Sequence, residues 1–351
     1  MNKTSRISNN CKKARLRVLY VGSGAVNLCL AGWMHSGTSI TQFLVRTPEN
    51  ELIRTQAFQC RLPGDKNKRV YKCQAFASLD RVERPDLIVI GVKNYSLTTA
   101  LGAIESAFGN EVPVMSVLNG VEHVDLISAR FKDAIFATIA FNAFRNSQID
   151  AVAVGGTVGL SASDPNSKGL EAVHKILKRK ISVSLVKNPR DAAMCKLVIN
   201  LGNALLTIVG FHNNRNQQLD ILQKLTAEIL NEGIDVLKKA EVNEAKISGM
   251  PRWFLIRLSK ILPQKIILPI FEKKLKANSI NSMAQDVAAG ANQTELEDIN
   301  GYFVKLADEL GVEVPYNKAL YHLFKKWLSE GNQEPVKPSK LLSAIKSFSN
   351  L

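Results

Sequence analysis

Apolar positions in the first half of the chain come in short continuous runs: Arg17–Val21, Ile40–Val45, Leu87–Val92 and Val112–Val117. Helix-length segments separate most of them. Continuous rather than alternating apolar runs mark strands buried on both faces, and strands alternating with helices mark a parallel sheet of βαβ units. Residues Ala134–Phe144, Val152–Leu160 and Ile181–Val186 predict further strands closing this half. From about residue 187 the pattern turns helical, with few strand signals. The predicted fold class is therefore α/β. An N-terminal Rossmann-type doubly wound sheet (16–186) is followed by an all-helical C-terminal domain (187–334), with a cleft between them. The basic, polar residues 1–15 and the segment 335–351 read as flexible ends.

Length and composition agree with two domains. The chain has 351 residues, of which 46% are hydrophobic and 22% charged, enough to bury a core without disulfide or metal staples. Its five cysteines are odd in number and widely spaced, without a CxxC pair, and its five histidines are scattered. A disulfide framework is not expected, and no metal site is. The N-terminus lacks an apolar core of signal-peptide type, and no run of about 18 apolar residues predicts a membrane span. A reducing cytoplasm is the expected compartment. The formal charge of +15 attracts anions of several kinds without choosing among them.

The first strand runs into Gly22-Ser23-Gly24-Ala25-Val26-Asn27, a GxGxx turn with Asn27 where a third glycine usually stands. Gly22 permits the tight turn and Gly24 a close backbone approach to a pyrophosphate, which the N-terminus of the next helix also attracts. The third glycine normally serves close helix–strand packing, so Asn27 predicts an outward-displaced helix. Where an NAD site has an acid for the ribose 2′-hydroxyl, this chain has Arg46, which suits a 2′-phosphate. NADP is thus expected over NAD. Lys93 and Asn119 follow the next two buried strands, at carboxyl ends where open α/β sheets bind ligands. Lys93 suits a phosphate or ribose, and Asn119 nicotinamide or substrate. Asn119-Gly120 alone reads better as a plain turn.

Residues Asp191–Gly210 form an apolar helix on which Lys196, Asn200 and Asn203 recur at i, i+4 and i+7, sharing one face. A buried lysine is costly unless paired or chemically used, and burial lowers its pKa toward neutrality, where it can donate a proton. A lysine reaching water at a helix start is the alternative, and the shared polar face favours function. Farther on, Asn292 or Thr294 could cap a helix whose first turn carries acids. The segment 252–276 carries seven basic residues against Glu272 alone. Pro263 and Pro269 interrupt it, so it reads as helices with an apolar face inward and lysines in water. Neither nucleic acid nor a membrane surface is expected as its partner.

Taken together, these segments resemble the ketopantoate reductase (2-dehydropantoate 2-reductase) family over roughly residues 16–330. The resemblance rests on the GxGAV loop, Arg46, Lys93, Asn119-Gly120, Lys196-x-x-x-Asn200, Ser282-Met-x-Gln-Asp286, Thr294-Glu295 through Asn300-Gly301, and Gly311 through Pro315. It implies NADPH-dependent reduction of a 2-oxo acid, with ketopantoate to pantoate in pantothenate biosynthesis as the leading reaction. It further implies that Lys196 protonates the developing alkoxide, that Glu295 acts beside it, and that Asn119, Asn200 and Ser282 contact substrate; Asn203, on the same helix face, is expected to contact it too. Many members carry a second asparagine eight residues after the lysine. Here that position is Ala204, and Asn203 stands one step earlier. The stretch from Asp286 to Glu295 is one residue longer than usual, and the region 211–280 is longer than in compact members. A homodimer is compatible with the resemblance. Two other readings stay open: a reductase of a different 2-oxo acid, and an NADP(H)-binding sensor without turnover.

Overall fold

The segment Arg17–Val21 (β1) shows how the main sheet arises. Alternate side chains leave a pleated strand on opposite faces, so Leu19 and Val21 enter one apolar core while Val18 and Tyr20 enter another. Both faces are thus covered, as a parallel sheet requires. The structure, a computed structural model, describes residues 16–210, 218–277, 281–291, 293–331 and 334–349. The expected flexible segment 1–15 lies outside the described residues, as does Asn292.

After β1 come α1 (Ala25–Met34), β2 (Ile40–Leu44), α2 (Glu51–Thr55), β3 (Ala57–Arg61), β4 (Arg69–Lys72) and β5 (Gln74–Phe76). Then follow β6 (Leu87–Ile90), α3 (Leu97–Phe108), β7 (Val114–Ser116), α4 (Glu122–Ser128), β8 (Ala134–Ile139), β9 (Asn142–Ser147), β10 (Asp150–Val154), β11 (Thr157–Ala162), α5 (Lys168–Leu177) and β12 (Ser182–Leu185). The main sheet has eight strands in the order β12-β11-β8-β7-β6-β1-β2-β5. Every neighbouring pair in it is parallel except β11 with β8. The N-terminal half is Rossmann-like, as the apolar runs predict.

A second sheet, β4-β3-β10-β9, does not follow from those runs. The expected strand Ala134–Phe144 divides into β8 in the main sheet and the start of β9 in the small one. The expected strand Val152–Leu160 likewise divides into β10 and β11. Gly155, at φ +82°, makes the second turn in a conformation that side chains rarely adopt. The small sheet packs on α1, where Phe58, Cys60 and Ala151 are buried.

The helical half consists of α6 (Pro189–Ile208), α7 (Leu219–Lys239), α8 (Trp253–Ile261), α9 (Gln264–Ala277), α10 (Ser282–Ala288), α11 (Tyr302–Glu309), α12 (Pro315–Ser329) and α13 (Pro338–Ser349). Asn188 starts α6 by accepting from the backbone N–H groups of Arg190 and Asp191, with Pro189 pre-setting the first turn. By length and composition α6 could cross a bilayer, but 72% of that window is buried inside the protein. Its core neighbours include Leu222, Met283, Leu320 and Phe324.

Two expectations for this half are corrected. The described part of the segment 335–351 is not a loose tail: α13 buries Leu341 and Ile345 in the same core, with apolar side chains four residues apart on one face. The segment 252–276 does not turn its whole apolar face inward. Ile256, Ile267 and Leu275 are buried, while Phe254, Leu255, Leu258, Ile261, Ile266 and Ile270 are exposed. These two short helices carry more apolar residues than the one side packed on α7 can cover.

Candidate active site

The glycine turn is shaped by close backbone approaches. Gly22 has φ +93°, and a Cβ there would stand 3.0 Å from the Gly91 carbonyl oxygen. Its N–H donates to the Leu44 carbonyl at 2.9 Å, tying the turn to the end of β2. Gly24 precedes α1 without a side-chain cap, and the first turn carries no acid. Uncapped N–H groups at a positive helix end, free of competing carboxylates, make a cradle for a phosphate group. Ser23, Ala25 and Val26 are half-buried around it.

Asn27 does not find its room by displacing the helix outward. It is 1% exposed, and its Nδ2 donates to the carbonyls of Val21 (3.2 Å) and Gly22 (2.8 Å). The space comes from Gly91, where a Cβ would lie 2.5 Å from Asn27 Oδ1. A glycine just past β6 thus does the steric work usually done by a glycine on the helix, and the amide braces the turn.

Arg46 is exposed two residues beyond β2, on the loop beside this turn. A second cation, Arg145 of β9, reaches the same turn and donates to the Ser23 carbonyl at 3.4 Å. Nothing in the linear pattern points to Arg145, since it arrives on the small sheet. Lys93 lies at the seam between the two halves, 2.7 Å from Asp286 on α10. Burial pulls the Lys93 ammonium down, but Glu295 and the bonded Asp286 outweigh it and hold its pKa above the ordinary value.

Glu295 gathers the polar side chains of the helical half. It is 8% exposed, and its Oε2 accepts from Asn119 Nδ2 at 3.2 Å and from Ser282 Oγ at 3.5 Å. Asn200 of α6 donates to Asn119 Oδ1 at 3.5 Å. Four residues predicted for one site, spread over 177 positions of sequence, therefore form one chain: Asn200, Asn119, Glu295 and Ser282. The Asn119 backbone is held too, its carbonyl accepting from Asn94 Nδ2 at 3.1 Å. Gly120, at φ +86°, brings this turn against the Asp298 backbone, where a Cβ would stand 3.3 Å from the carbonyl oxygen. Asn119-Gly120 is thus both a turn and a part of the site.

Lys196 is half-buried on α6 and lines a cleft together with Asn119, His123, Phe136, Thr138 and Ile139. Burial draws its pKa down to about 8, and the Glu295 carboxylate opposes part of that fall. Asn203 is placed differently from the rest. Its carbonyl accepts from Asn281 Nδ2 at 3.3 Å, so its backbone anchors the start of α10. Asn281 caps α10 by accepting from Ala284 N–H at 2.9 Å and thereby positions the next residue, Ser282. Directly ahead of Ser-Met, Asn281 fits the N-cap preference, a legible signal that the motif reading passed over.

Glu295 precedes a π-helical turn, Glu297–Gly301. Thr294 Oγ1 accepts from Leu296 N–H at 3.3 Å, and the fully buried Asn300 donates to the Leu201 carbonyl at 3.3 Å. The helix-start reading of Thr294 is correct, and the same start places Glu295 against Asn119. His123 was not singled out by sequence. It is 6% exposed, 3.1 Å from Ser116 Oγ, with burial lowering its pKa to about 4, so the ring is neutral at physiological pH.

Comparison with known proteins bears on both halves. Residues 18–162 match the family model described as Ketopantoate reductase PanE/ApbA, and residues 188–327 match Ketopantoate reductase PanE/ApbA C terminal. The 2-dehydropantoate 2-reductase of Pyrococcus abyssi is 23% identical over 318 residues, covering 88% of this chain and 97% of that protein. That of Streptococcus pyogenes serotype M18 is 23% identical over 313 residues, covering 87% and 96%. The solved PanE/ApbA family ketopantoate reductase from Ralstonia eutropha JMP134 superposes with a TM-score of 0.73 at 20% identity, covering 90% of this chain and 99% of that one. A D-mandelate dehydrogenase solved with NADH and anilino(oxo)acetate gives 0.72 at 18% identity, covering 90% and 100%.

Proposed function

Since the chain belongs to the ketopantoate reductase family, whose members are oxidoreductases acting on CH–OH groups, we propose that it reduces a 2-oxo acid to the 2-hydroxy acid with NADPH. 2-Dehydropantoate, giving pantoate, is the substrate to test first. The observation carrying this reading is an ammonium drawn to about 8 in a cleft beside a buried, hydrogen-bonded carboxylate.

When bound, NADPH supplies the hydride that the ketone carbon receives. The turn at Gly22-Ser23-Gly24 and the first residues of α1, Ala25 and Val26, would hold its pyrophosphate, with Asn27 bracing that turn from below. Arg46 would hold the 2′-phosphate, and Arg145 adds a second cation on the same side. Lys93, paired with Asp286, would keep the two halves in register at the edge of the cofactor site.

Lys196 then donates the proton that completes the alcohol. Near neutral pH its amine is charged yet poised to release that proton, the condition for an efficient general acid. Glu295 and Ser282 orient the substrate. Asn119, held from both sides by Asn200 and Glu295, presents its amide beside Lys196. Asn203 would contribute through its position on the same helix face. The apolar walls at Phe136 and Ile139 keep water from weakening these electrostatic contacts.

We assign the cofactor half to residues 16–186 and the helical half to 187–334, extended by α13. The four described cysteines are buried free thiols, which fits a cytoplasmic setting. An aryl 2-oxo acid is the specific competitor, since the fold matches a D-mandelate dehydrogenase as closely as a ketopantoate reductase. The deciding experiment follows NADPH consumption with a panel of 2-oxo acids that includes both. Turnover with ketopantoate supports the proposal. Turnover only with an aryl 2-oxo acid moves the substrate assignment, and NADPH binding without any turnover leaves a sensor.

A further inference from the structure

α8 and α9 form the apolar and basic face that the helical core leaves uncovered. On α8, Phe254, Leu258 and Ile261 follow one another at i, i+4 and i+7, with exposures of 59%, 37% and 77%. On α9, Ile266 and Ile270 are four apart at 51% and 49%. Each set occupies a single helix face, so the exposed apolar groups are two stripes rather than scattered residues. Exposed apolar stripes of this kind mark an interaction site.

The charges around the stripes indicate what covers them. The segment holds one acid, Glu272, already bonded to Lys276. Arg252, Arg257 and Lys260 are likewise paired, with Glu244, Asp235 and Glu228. Lys265, Lys273 and Lys274 are exposed and have no carboxylate partner among the described residues. A second copy laid over this face would add the same unpaired lysines and no carboxylate to receive them. A bilayer bearing anionic headgroups supplies both requirements: acyl chains for the stripes and negative charge for the lysines.

We propose that α8 and α9 form a docking surface for an anionic phospholipid bilayer, on which the reductase rests without spanning it. The apolar stripes enter the headgroup boundary, and the three free lysines pair with lipid phosphates. No residue of α8 or α9 lines the cleft, so docking and turnover are separable.

The test is co-sedimentation of the full-length protein with vesicles of phosphatidylcholine alone or mixed with phosphatidylglycerol. Binding is expected only to the mixed vesicles and should weaken as salt is raised. The triple variant Lys265→Glu/Lys273→Glu/Lys274→Glu should lose about a hundredfold or more in vesicle affinity. Ile261→Glu/Ile270→Glu should lose binding with folding unchanged by circular dichroism. No binding to the mixed vesicles, or equal binding to neutral ones, overturns the proposal. So does a solution dimer that Ile261→Glu/Ile270→Glu converts to monomer, because the face then belongs to a second copy.

Discussion

The Asn27 side chain fills the space that the missing side chain of Gly91 leaves, 2.5 Å from where a Cβ would stand. Gly91→Ala therefore cannot be accommodated without moving a buried amide off the Val21 and Gly22 carbonyls. It should lower unfolding stability by about 1–3 kcal/mol in urea titrations and weaken NADPH binding, because the turn loses its brace. In an Asn27→Ala background the same change should cost much less, and the cycle should show a coupling of about 1 kcal/mol or more. Additive effects would mean that the two positions are independent.

If Lys196 is the proposed acid, it should set the pH dependence of the reaction. Its folded pKa, about 8, lies below the ordinary lysine value. The protonated form is the acid needed for reduction, so kcat should hold below pH 8 and fall as pH rises through it. The reverse oxidation, which needs the neutral amine, should rise through the same pH. Glu295→Gln removes the carboxylate that opposes the fall and should move both limbs to lower pH. Lys196→Ala should reduce kcat by about 10²- to 10⁴-fold with little change in NADPH affinity. Full activity in Lys196→Ala would eliminate the proposed acid.

Because burial lowers the Lys196 pKa, the unfolded chain binds that proton more tightly than the folded one. The charge is therefore destabilising at neutral pH, and the penalty lifts as pH rises above 8. Lys196→Met should be more stable than the parent at pH 7 in urea unfolding, by a margin that shrinks toward pH 10.

Cofactor choice should depend on Arg46, and cofactor affinity on both Arg46 and Arg145. Arg46→Glu is expected to weaken NADPH by about 10- to 100-fold, the range for a lost charge-assisted contact, and to spare NADH. Arg145→Ala should weaken both cofactors to similar degrees, since its bond is to the turn itself. Fluorescence titration with each cofactor separates these outcomes. An unchanged NADPH preference in Arg46→Glu would remove the 2′-phosphate assignment.

His123 introduces an acid-side limit. Its folded pKa, about 4, lies below the ordinary histidine value because the ring is buried. Between these two values the unfolded chain takes up the proton first, so stability falls as pH drops through that window. The loss is at most about 3 kcal/mol. His123→Gln should flatten that part of the stability curve. If parent and variant lose stability in parallel, the imidazole is not responsible.

Much of this molecule is local in origin. The buried runs at β1, β2, β6 and β7, the glycine turn, Arg46 and the lysine–asparagine face of α6 all depend on neighbours within a few residues. Periodicity and residue type therefore predict the Rossmann-like half, the helical half and the main polar residues of the cleft. Other features depend on what distant segments bring. Gly91 explains Asn27 only because β6 lies beside β1, and Arg145 reaches Ser23 only because β9 leaves the main sheet. Glu295 becomes a buried hub through contacts with residues up to 176 positions away. The outward apolar stripes of α8 and α9 were equally beyond periodicity, which marks an amphipathic face without saying which side meets the core. The chain's pattern determines which elements form, whereas the relative placement of those elements decides which side chains meet and which remain uncovered.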